Sequence, residues 1–143
     1  MSDLEEVRAA VEGIRSVTDL PVCATMSFDT NGRTMMGITP EEAVRAMSGW
    51  GLDAIGANCG NGTDELENVI HAMHQEAPEV TLIAKANAGL PQWRDNVLHY
   101  DATPSSMAEY AQRVRALGAS LIGGCCGNGP EHIRAIAVTA NVP

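Results

Sequence analysis

The stretch that decides the fold is residues 121–131, which read Leu-Ile-Gly-Gly-Cys-Cys-Gly-Asn-Gly-Pro-Glu. An apolar run leads into two adjacent cysteines, a glycine-rich turn follows, and the proline is well suited to the first turn of a helix. Residues 54–62, Ala-Ile-Gly-Ala-Asn-Cys-Gly-Asn-Gly, have the same layout. Both segments therefore predict a buried strand that ends at a cysteine and passes through a tight turn into a helix.

The rest of the chain repeats this alternation of strand and helix. Nearly continuous apolar strands joined by helices are typical of a parallel sheet covered by helices. The predicted strands begin about 30 residues apart, the usual size of a βα unit. We therefore predict one α/β domain over residues 1–143, whose four units form either a small open sheet or half of an eight-stranded barrel. The predicted strands are 22–28, 54–58, 80–86 and 120–124, and the predicted helices lie near 3–16, 40–50, 64–77, 104–117 and 130–137.

Composition excludes several classes of function. The chain has 143 residues, of which 45% are apolar, so it is long enough to bury a core. A net charge of -9 with nine scattered basic residues argues against nucleic-acid binding. No apolar run approaches the ~18 residues of a membrane span. The acidic N-terminus lacks the pattern of a signal peptide, which favours a cytoplasmic protein.

Three of the four cysteines are candidate metal ligands. Thiols stay reduced in the cytoplasm, so clustered cysteines there indicate metal binding or catalysis more than disulfides. Alternate strands of a parallel barrel contribute side chains to one layer, so Cys59 can converge with Cys125 and Cys126. Zinc prefers thiolates and often keeps a fourth position open. The alternative, that these cysteines only pack in the core, stays open at this point, and it is our interpretation of Cys23.

Other polar residues are weaker candidates. Residues 87–103 form a long connection, and such loops are usually functional. His99 and Tyr100 lie in it and could line the site. His132, in the first turn of the last helix, could support a ligand or simply lie at the surface, whereas His71 and His74 are interpreted as surface or edge residues of a helix.

With these residues identified, the chain resembles the homocysteine S-methyltransferase family. The matching motifs are residues 56–59, Gly-Ala-Asn-Cys, and residues 123–127, Gly-Gly-Cys-Cys-Gly, with further similarity at 87–91 and 130–133. The resemblance covers nearly the whole chain. It implies that the chain is similar to the C-terminal half of a (β/α)₈ TIM barrel, the homocysteine-binding barrel found in methionine synthase and betaine–homocysteine methyltransferase.

The resemblance also implies a reaction. Cys59, Cys125 and Cys126 would be zinc ligands and the catalytic centre, and a methyl group would pass to a zinc-activated thiol, homocysteine, giving methionine. Asn58 and Asn87 would bind or orient the substrate, or would support the groups around the metal ligands. The methyl donor is left open, and a corrinoid protein is one candidate.

Half a barrel would expose two sheet edges, which is a liability for a lone chain. We therefore expect a partner, either a chain that supplies the N-terminal half-barrel or a second copy in a homo-oligomer. Two alternatives to the enzyme remain at this point. One is a non-catalytic zinc-binding half-barrel that acts as a partner subunit in a methyl-transfer complex, and the other is a plain α/β domain with core cysteines.

Overall fold

A computed structural model describes residues 1–140, so the last three residues of the predicted domain lie outside the described range. Five helices and a four-stranded sheet alternate along the chain, and a two-stranded hairpin is inserted after the third strand. None of the helices in the described range is long and apolar enough to cross a membrane. The elements are α1 (Leu4–Arg15), β1 (Cys23–Met26), α2 (Pro40–Ser48), β2 (Ala54–Cys59), α3 (Thr63–Glu76), β3 (Leu82–Ala86), β4 (Pro91–Arg94), β5 (Val97–Tyr100), α4 (Pro104–Ala116), β6 (Ala119–Gly124) and α5 (Pro130–Ala140).

The main sheet confirms the α/β prediction. Its strand order is β1-β2-β3-β6, and every neighbouring pair is parallel. Parallel neighbours need a crossover connection, and a helix occupies each one. Because strand order follows chain order, the sheet has the topology of a barrel wall, with four of the eight strands of a TIM barrel.

Helix ends follow from local chemistry. Asp3 caps α1 by accepting hydrogen bonds from the backbone N–H groups of Glu5 and Glu6. At α2, Thr39 and Glu42 form a reciprocal capping box, with Pro40 at the first position. These caps fix the residues at which the two helices begin.

The core lies between the helices and one face of the sheet, which we name the outer face. On β3, Leu82, Ala84 and Ala86 are fully buried on this face and alternate with half-buried residues. Tyr110 and Met107 of α4 pack into the same core. Most of the apolar area that the chain buries is therefore on this side, and its removal from water stabilises the fold.

The opposite face, which we name the inner face, is only partly covered. It carries Thr25, Asn58, Ile83 and Lys85, all half-buried, and Leu121, which is 47% exposed. Within the described residues, β1 and β6 each pair with one strand only, so the sheet does not close. The inner face is the side that a complete barrel would enclose.

The long connection after β3 is more regular than its sequence indicated. It contains the antiparallel hairpin of β4 and β5, where we expected a connection without strands. Asp95 and Asn96 have φ values of 50° and 60°, as in a two-residue turn with both central residues left-handed. The hairpin carries three exposed apolar side chains, Trp93, Val97 and Leu98.

Our interpretation of Cys23 as a core residue was wrong. Its side chain is exposed. The cause is its position at the start of β1, an edge strand whose inner face has no cover in the described part of the chain.

Candidate metal centre

The three predicted cysteines come together where two strands end. The Sγ atoms of Cys59, Cys125 and Cys126 all lie within 4.8 Å of one another. The Sγ atoms of Cys59 and Cys125 are 2.8 Å apart. They meet because the carboxyl ends of β2 and β6 lie at the same edge of a parallel sheet, with β3 between them.

The first cysteine turn depends on an unusual backbone. Cys59 has a φ of 59°, a left-handed conformation that is uncommon for any residue other than glycine. Gly60 continues the turn with a φ of 72°. Just before it, a Cβ on Gly56 would lie 1.9 Å from the carbonyl oxygen of Ile83, so only glycine fits. The turn aims the Cys59 sulfur at the second cysteine site.

The second cysteine turn is held by β3 and by the hairpin. The Cys125 N–H donates to the carbonyl of Ala86 at 2.8 Å, and the Ala88 N–H donates to the carbonyl of Cys126 at 2.9 Å. Tyr100 packs directly on Gly127, where a Cβ would lie 2.3 Å from the ring Cγ. Both adjacent cysteines are therefore fixed by backbone contacts on one side and an aromatic ring on the other.

Asn87 joins the two cysteine turns. Its side chain is buried, at 6% exposure. Its Nδ2 donates to the carbonyl of Gly60 at 3.1 Å, and its Oδ1 accepts from the backbone N–H of Cys126 at 3.1 Å. One amide thus links the residue after Cys59 to one of the paired cysteines.

Asn58 contacts the Cys59 sulfur itself. Its Nδ2 lies 3.2 Å from Sγ of Cys59 and also donates to Oγ of Ser27 at 3.2 Å. The Thr25 hydroxyl donates to Asn58 Oδ1 at 2.8 Å, which fixes the orientation of the amide. Sequence reasoning missed Thr25 on β1 and Ser27 just after it, although a spacing of two in extended backbone places both on the same side as Asn58.

The two close thiols differ in acidity. Burial, followed by the hydrogen bond with Cys125, raises the pKa of Cys59 to about 11. Burial opposes ionisation of Cys125 too, but hydrogen bonds from the Cys59 thiol and from Cys126 outweigh it and lower the Cys125 pKa. Cys125 therefore loses its proton before Cys59 does. At Tyr100, burial and then the neighbouring Cys126 raise the pKa of the phenol.

This donor set suits a soft metal ion. Two sulfurs bonded to one ion at about 2.3 Å each can be at most about 4.6 Å apart. The observed sulfurs already lie within 4.8 Å, so small side-chain rotations would satisfy that limit. Thiolates select zinc and other thiophilic metals over magnesium or calcium. Cys126 is exposed, which leaves access for a further ligand.

The histidines lie outside this cluster in the described residues. His132 is buried, its Nδ1 accepting from the N–H of Gly129 at 3.0 Å and its Nε2 lying 3.0 Å from the carbonyl of Ala102. It connects the start of α5 to the segment between β5 and α4, and its burial excludes a surface role. His71 is exposed as expected, whereas the ring of His74 packs on Gly118.

Comparison with known sequences agrees with the motifs. A family model described as homocysteine S-methyltransferase matches residues 1–140. Methionine synthase of Mycobacterium tuberculosis (strain ATCC 25618 / H37Rv) is 33% identical over 147 residues, which cover 98% of this chain and 12% of that protein. Methionine synthase of Mycobacterium leprae (strain TN) is 33% identical over 141 residues, with 94% and 12% covered. The chain thus spans about an eighth of the length of these relatives.

Solved structures show the same fold. The metallated form of the homocysteine methyltransferase MmuM from Escherichia coli superposes with a TM-score of 0.75 at 20% identity, covering 96% of this chain and 42% of that one. Its apo form gives a TM-score of 0.73 at 20% identity, covering 96% and 47%. The described chain therefore corresponds to less than half of a TIM barrel of this type. Together with the match of the family model, this places the chain in the homocysteine S-methyltransferase family.

Proposed function

We propose that this chain is the zinc-binding half of an S-methyltransferase that transfers a methyl group to the thiol of homocysteine, giving methionine. The observation that carries the proposal is the cluster of three thiols within 4.8 Å at the carboxyl edge of the sheet. Membership of the homocysteine S-methyltransferase family supports the substrate. Because the chain spans only part of its relatives, the activity of the whole enzyme is part of the proposal.

Cys59, Cys125 and Cys126 are the proposed ligands and form the catalytic centre. Three protein ligands and one open position are typical of a zinc site that accepts a substrate. When bound there, zinc supplies a Lewis-acidic field that keeps a substrate thiol deprotonated near neutral pH. A dication does not fully neutralise three cysteine thiolates. The site would therefore stay electron-rich, which favours attack on an electrophilic methyl group.

Asn58 and Asn87 support the ligands in this proposal. They were expected to orient either the substrate or the surroundings of the ligands, and the second of these roles is favoured because protein groups bond to both polar atoms of each amide. We assign Asn87 the role of holding the two cysteine turns together. Asn58 donates to the Cys59 sulfur, which disperses part of the thiolate charge. Groups that orient metal ligands in this way commonly change metal affinity about 10- to 100-fold when removed.

A partner completes the barrel in this proposal. Residues 1–143 would form the C-terminal half, and they would pair either with another polypeptide segment that supplies the four N-terminal βα units or with a second copy of the chain. Exposed apolar side chains on the two outermost helices support this, because they flank the free sheet edges: Ile14 on α1, and Ile133 and Val138 on α5. A corrinoid protein remains a candidate for the methyl donor.

Zinc stoichiometry tests the ligand set. We expect about one zinc per chain in protein purified without chelators. Cys59→Ser, Cys125→Ser and Cys126→Ser should each weaken binding sharply, whereas Cys23→Ser, outside the cluster, is the matched control and should bind like the wild type. Wild-type occupancy in any of the first three variants removes that residue from the set, and an absence of zinc in the wild type rejects the metal centre.

An assay of methyl transfer separates the enzyme from the non-catalytic partner subunit. Methionine formation from homocysteine is measured with the zinc-loaded chain alone and with a polypeptide that supplies the N-terminal half-barrel. We expect activity in the completed barrel, lost in the Cys59→Ser variant. Zinc binding without methionine formation in either sample would favour the non-catalytic alternative.

A further inference from the structure

Cys126 is the most exposed of the three proposed ligands, since Cys59 and Cys125 are half-buried. Packing therefore restricts the Cys126 sulfur less than it restricts the other two. Its backbone is held on both sides instead. The N–H donates to Oδ1 of Asn87 at 3.1 Å, and the carbonyl accepts from the N–H of Ala88 at 2.9 Å. The position of this sulfur thus depends largely on the groups that hold the backbone at residue 126.

A closed ring of hydrogen bonds passes through the carbonyl of Cys126. The N–H of Ala88 donates to it, and the N–H of Ala102 donates to the carbonyl of Ala88 at 3.0 Å. The carbonyl of Ala102 in turn lies 3.0 Å from Nε2 of His132. The other nitrogen of the imidazole, Nδ1, accepts from the N–H of Gly129 at 3.0 Å. Gly129 belongs to the same turn as Cys126, so the chain itself closes the ring.

His132 can close this ring in one tautomer only. Nδ1 accepts a hydrogen bond and so carries no proton, which means that Nε2 carries the ring proton and donates it to the Ala102 carbonyl. The carboxylate of Glu131 lies 3.4 Å from Nδ1, but its side chain is 60% exposed, so water screens it. The imidazole is buried, which strengthens both of its hydrogen bonds.

The ring of hydrogen bonds lies where it can affect the metal centre. It joins the second cysteine turn to the segment after β3 and to the segment after β5, all at the carboxyl edge of the sheet. Without the imidazole, the Ala102 carbonyl and the Gly129 N–H would each lose a partner. The Cys126 carbonyl would then be bonded to Ala88, which would itself be less restrained. His132 therefore acts on Cys126 at a distance, through two backbone bonds.

We propose that His132 is a positioning residue of the metal centre, which fixes the Cys126 sulfur for the ion through Ala102 and Ala88. This inference rests on the proposed function, because it requires Cys126 to be a ligand. His132 lies outside the cysteine cluster and touches neither the ion nor the substrate. Groups that orient metal ligands commonly change metal affinity about 10- to 100-fold when removed, and we expect an effect of this size.

Two double-mutant cycles on the full chain test this route. Zinc affinity is measured by competition with chromophoric chelators of graded strength. His132→Phe removes both hydrogen bonds and should weaken zinc binding about 10- to 100-fold. In a Cys126→Ser background it should cost about twofold or less, because the ligand through which it acts is gone, whereas in a Cys59→Ser background the full loss should remain. Equal losses in the two backgrounds would show that His132 only supports the fold, and would overturn the inference.

Conservative variants test which of the two bonds matters. His132→Gln keeps an N–H that can donate to the Ala102 carbonyl, and His132→Asn keeps an oxygen that can accept from the Gly129 N–H. Because the proposed route runs through Ala102, His132→Gln should retain more zinc affinity than His132→Asn, and the reverse order would overturn the route. The controls are Glu131→Gln, which removes the nearby carboxylate, and His71→Phe, which removes an exposed imidazole. Both should bind zinc like the wild type.

Nitrogen NMR of the zinc-loaded wild type requires no variant to fold. We expect His132 to carry its proton on Nε2 and none on Nδ1, and a proton on Nδ1 would overturn the inference. The two hypotheses fail separately. Wild-type zinc affinity in a folded His132→Phe would overturn this inference and leave the proposed function standing, whereas a wild type that binds no zinc would reject both.

Discussion

The two faces of the main sheet are built from the same strands but serve different purposes. On β3, Leu82, Ala84 and Ala86 are fully buried against helices, while Ile83 and Lys85 between them are only half-buried. The outer face carries the packing that stabilises the fold. The inner face carries Asn58, Lys85 and the approach to the cysteines, and it is left open. Successive side chains of a strand point to opposite faces, so residues that stabilise the core alternate with residues that face the open side.

The largest expected effect tests that separation directly. Leu82→Ala should lower the free energy of unfolding by about 2–5 kcal/mol, because it leaves a cavity in a fully buried outer-face site. Leu121→Ala, on the inner face and 47% exposed, should change it by about 0.5 kcal/mol or less. Chemical denaturation of both variants measures the difference. A large loss in Leu121→Ala would mean that the inner face is already covered in solution, as in a dimer.

The next largest effect is expected from two glycine substitutions, one in β2 and one in α1. Gly56→Ala should destabilise the chain by about 1–3 kcal/mol, because its Cβ would lie 1.9 Å from the Ile83 carbonyl oxygen and force β2 and β3 apart. Gly13→Ala, inside α1 with open space around it, should stabilise by up to about 1 kcal/mol. Thermal unfolding of the two variants reports the opposite signs. A Gly56→Ala protein as stable as the wild type would contradict the close approach of the two strands.

A smaller effect is expected on metal affinity. Asn87→Ala should weaken zinc binding about 10- to 100-fold, since the amide that links the two cysteine turns is lost. Asn61→Ala, on the first turn but exposed and bonded to the carbonyl of Asp29, is the matched control and should leave zinc affinity nearly unchanged. Competition with a chromophoric chelator measures both. Equal losses in the two variants would show that Asn87 has no special role in holding the ligands.

The smallest effect concerns pH and the loop before β2. The N–H of Val22, and then Arg15, lower the pKa of Asp53. Because the folded pKa lies below the unfolded one, this carboxylate stabilises the fold above the unfolded pKa, and the contribution is lost as pH falls through the folded pKa. Asp53→Ala should therefore lower the melting temperature slightly at neutral pH and match the wild type in acid. Asp19→Ala, also exposed, is the control, and a difference that persists in acid would contradict the assignment.

Much of the fold could be predicted because parallel sheets have strong sequence signals. The apolar runs that end at Cys59 and Cys125 lie on alternate strands of the sheet, with β3 between them, and the carboxyl ends of parallel strands share one edge. Proximity of the three thiols follows from those two facts. The capping box at Thr39 and Glu42 is equally local, and its helix begins where the sequence placed it.

What could not be predicted depends on contacts remote in sequence. The buried role of His132 requires Ala102, 30 positions away, to offer a carbonyl. Asn87 bonds to Gly60 and Cys126, 27 and 39 positions away, so its role of joining two turns has no local signal. The exposure of Cys23 follows from a free sheet edge, which no short motif reveals. The hairpin does have a local signal, because Asp95 and Asn96 are residue types that tolerate the left-handed conformation of a two-residue turn.

The number of residues between Cys59 and Cys125 affects how strongly a shared ion would restrict the unfolded chain. Cys59 and Cys125 lie 66 positions apart, so an ion held by both closes a loop that contains the exposed hairpin. Such a crosslink restricts the unfolded chain as a disulfide does, and the restriction grows slowly with loop length. A protease that cut at Asp95-Asn96 would leave two pieces held together by the pairing of β3 with β6 and by any bound ion, and a chelator would remove only the second of these links.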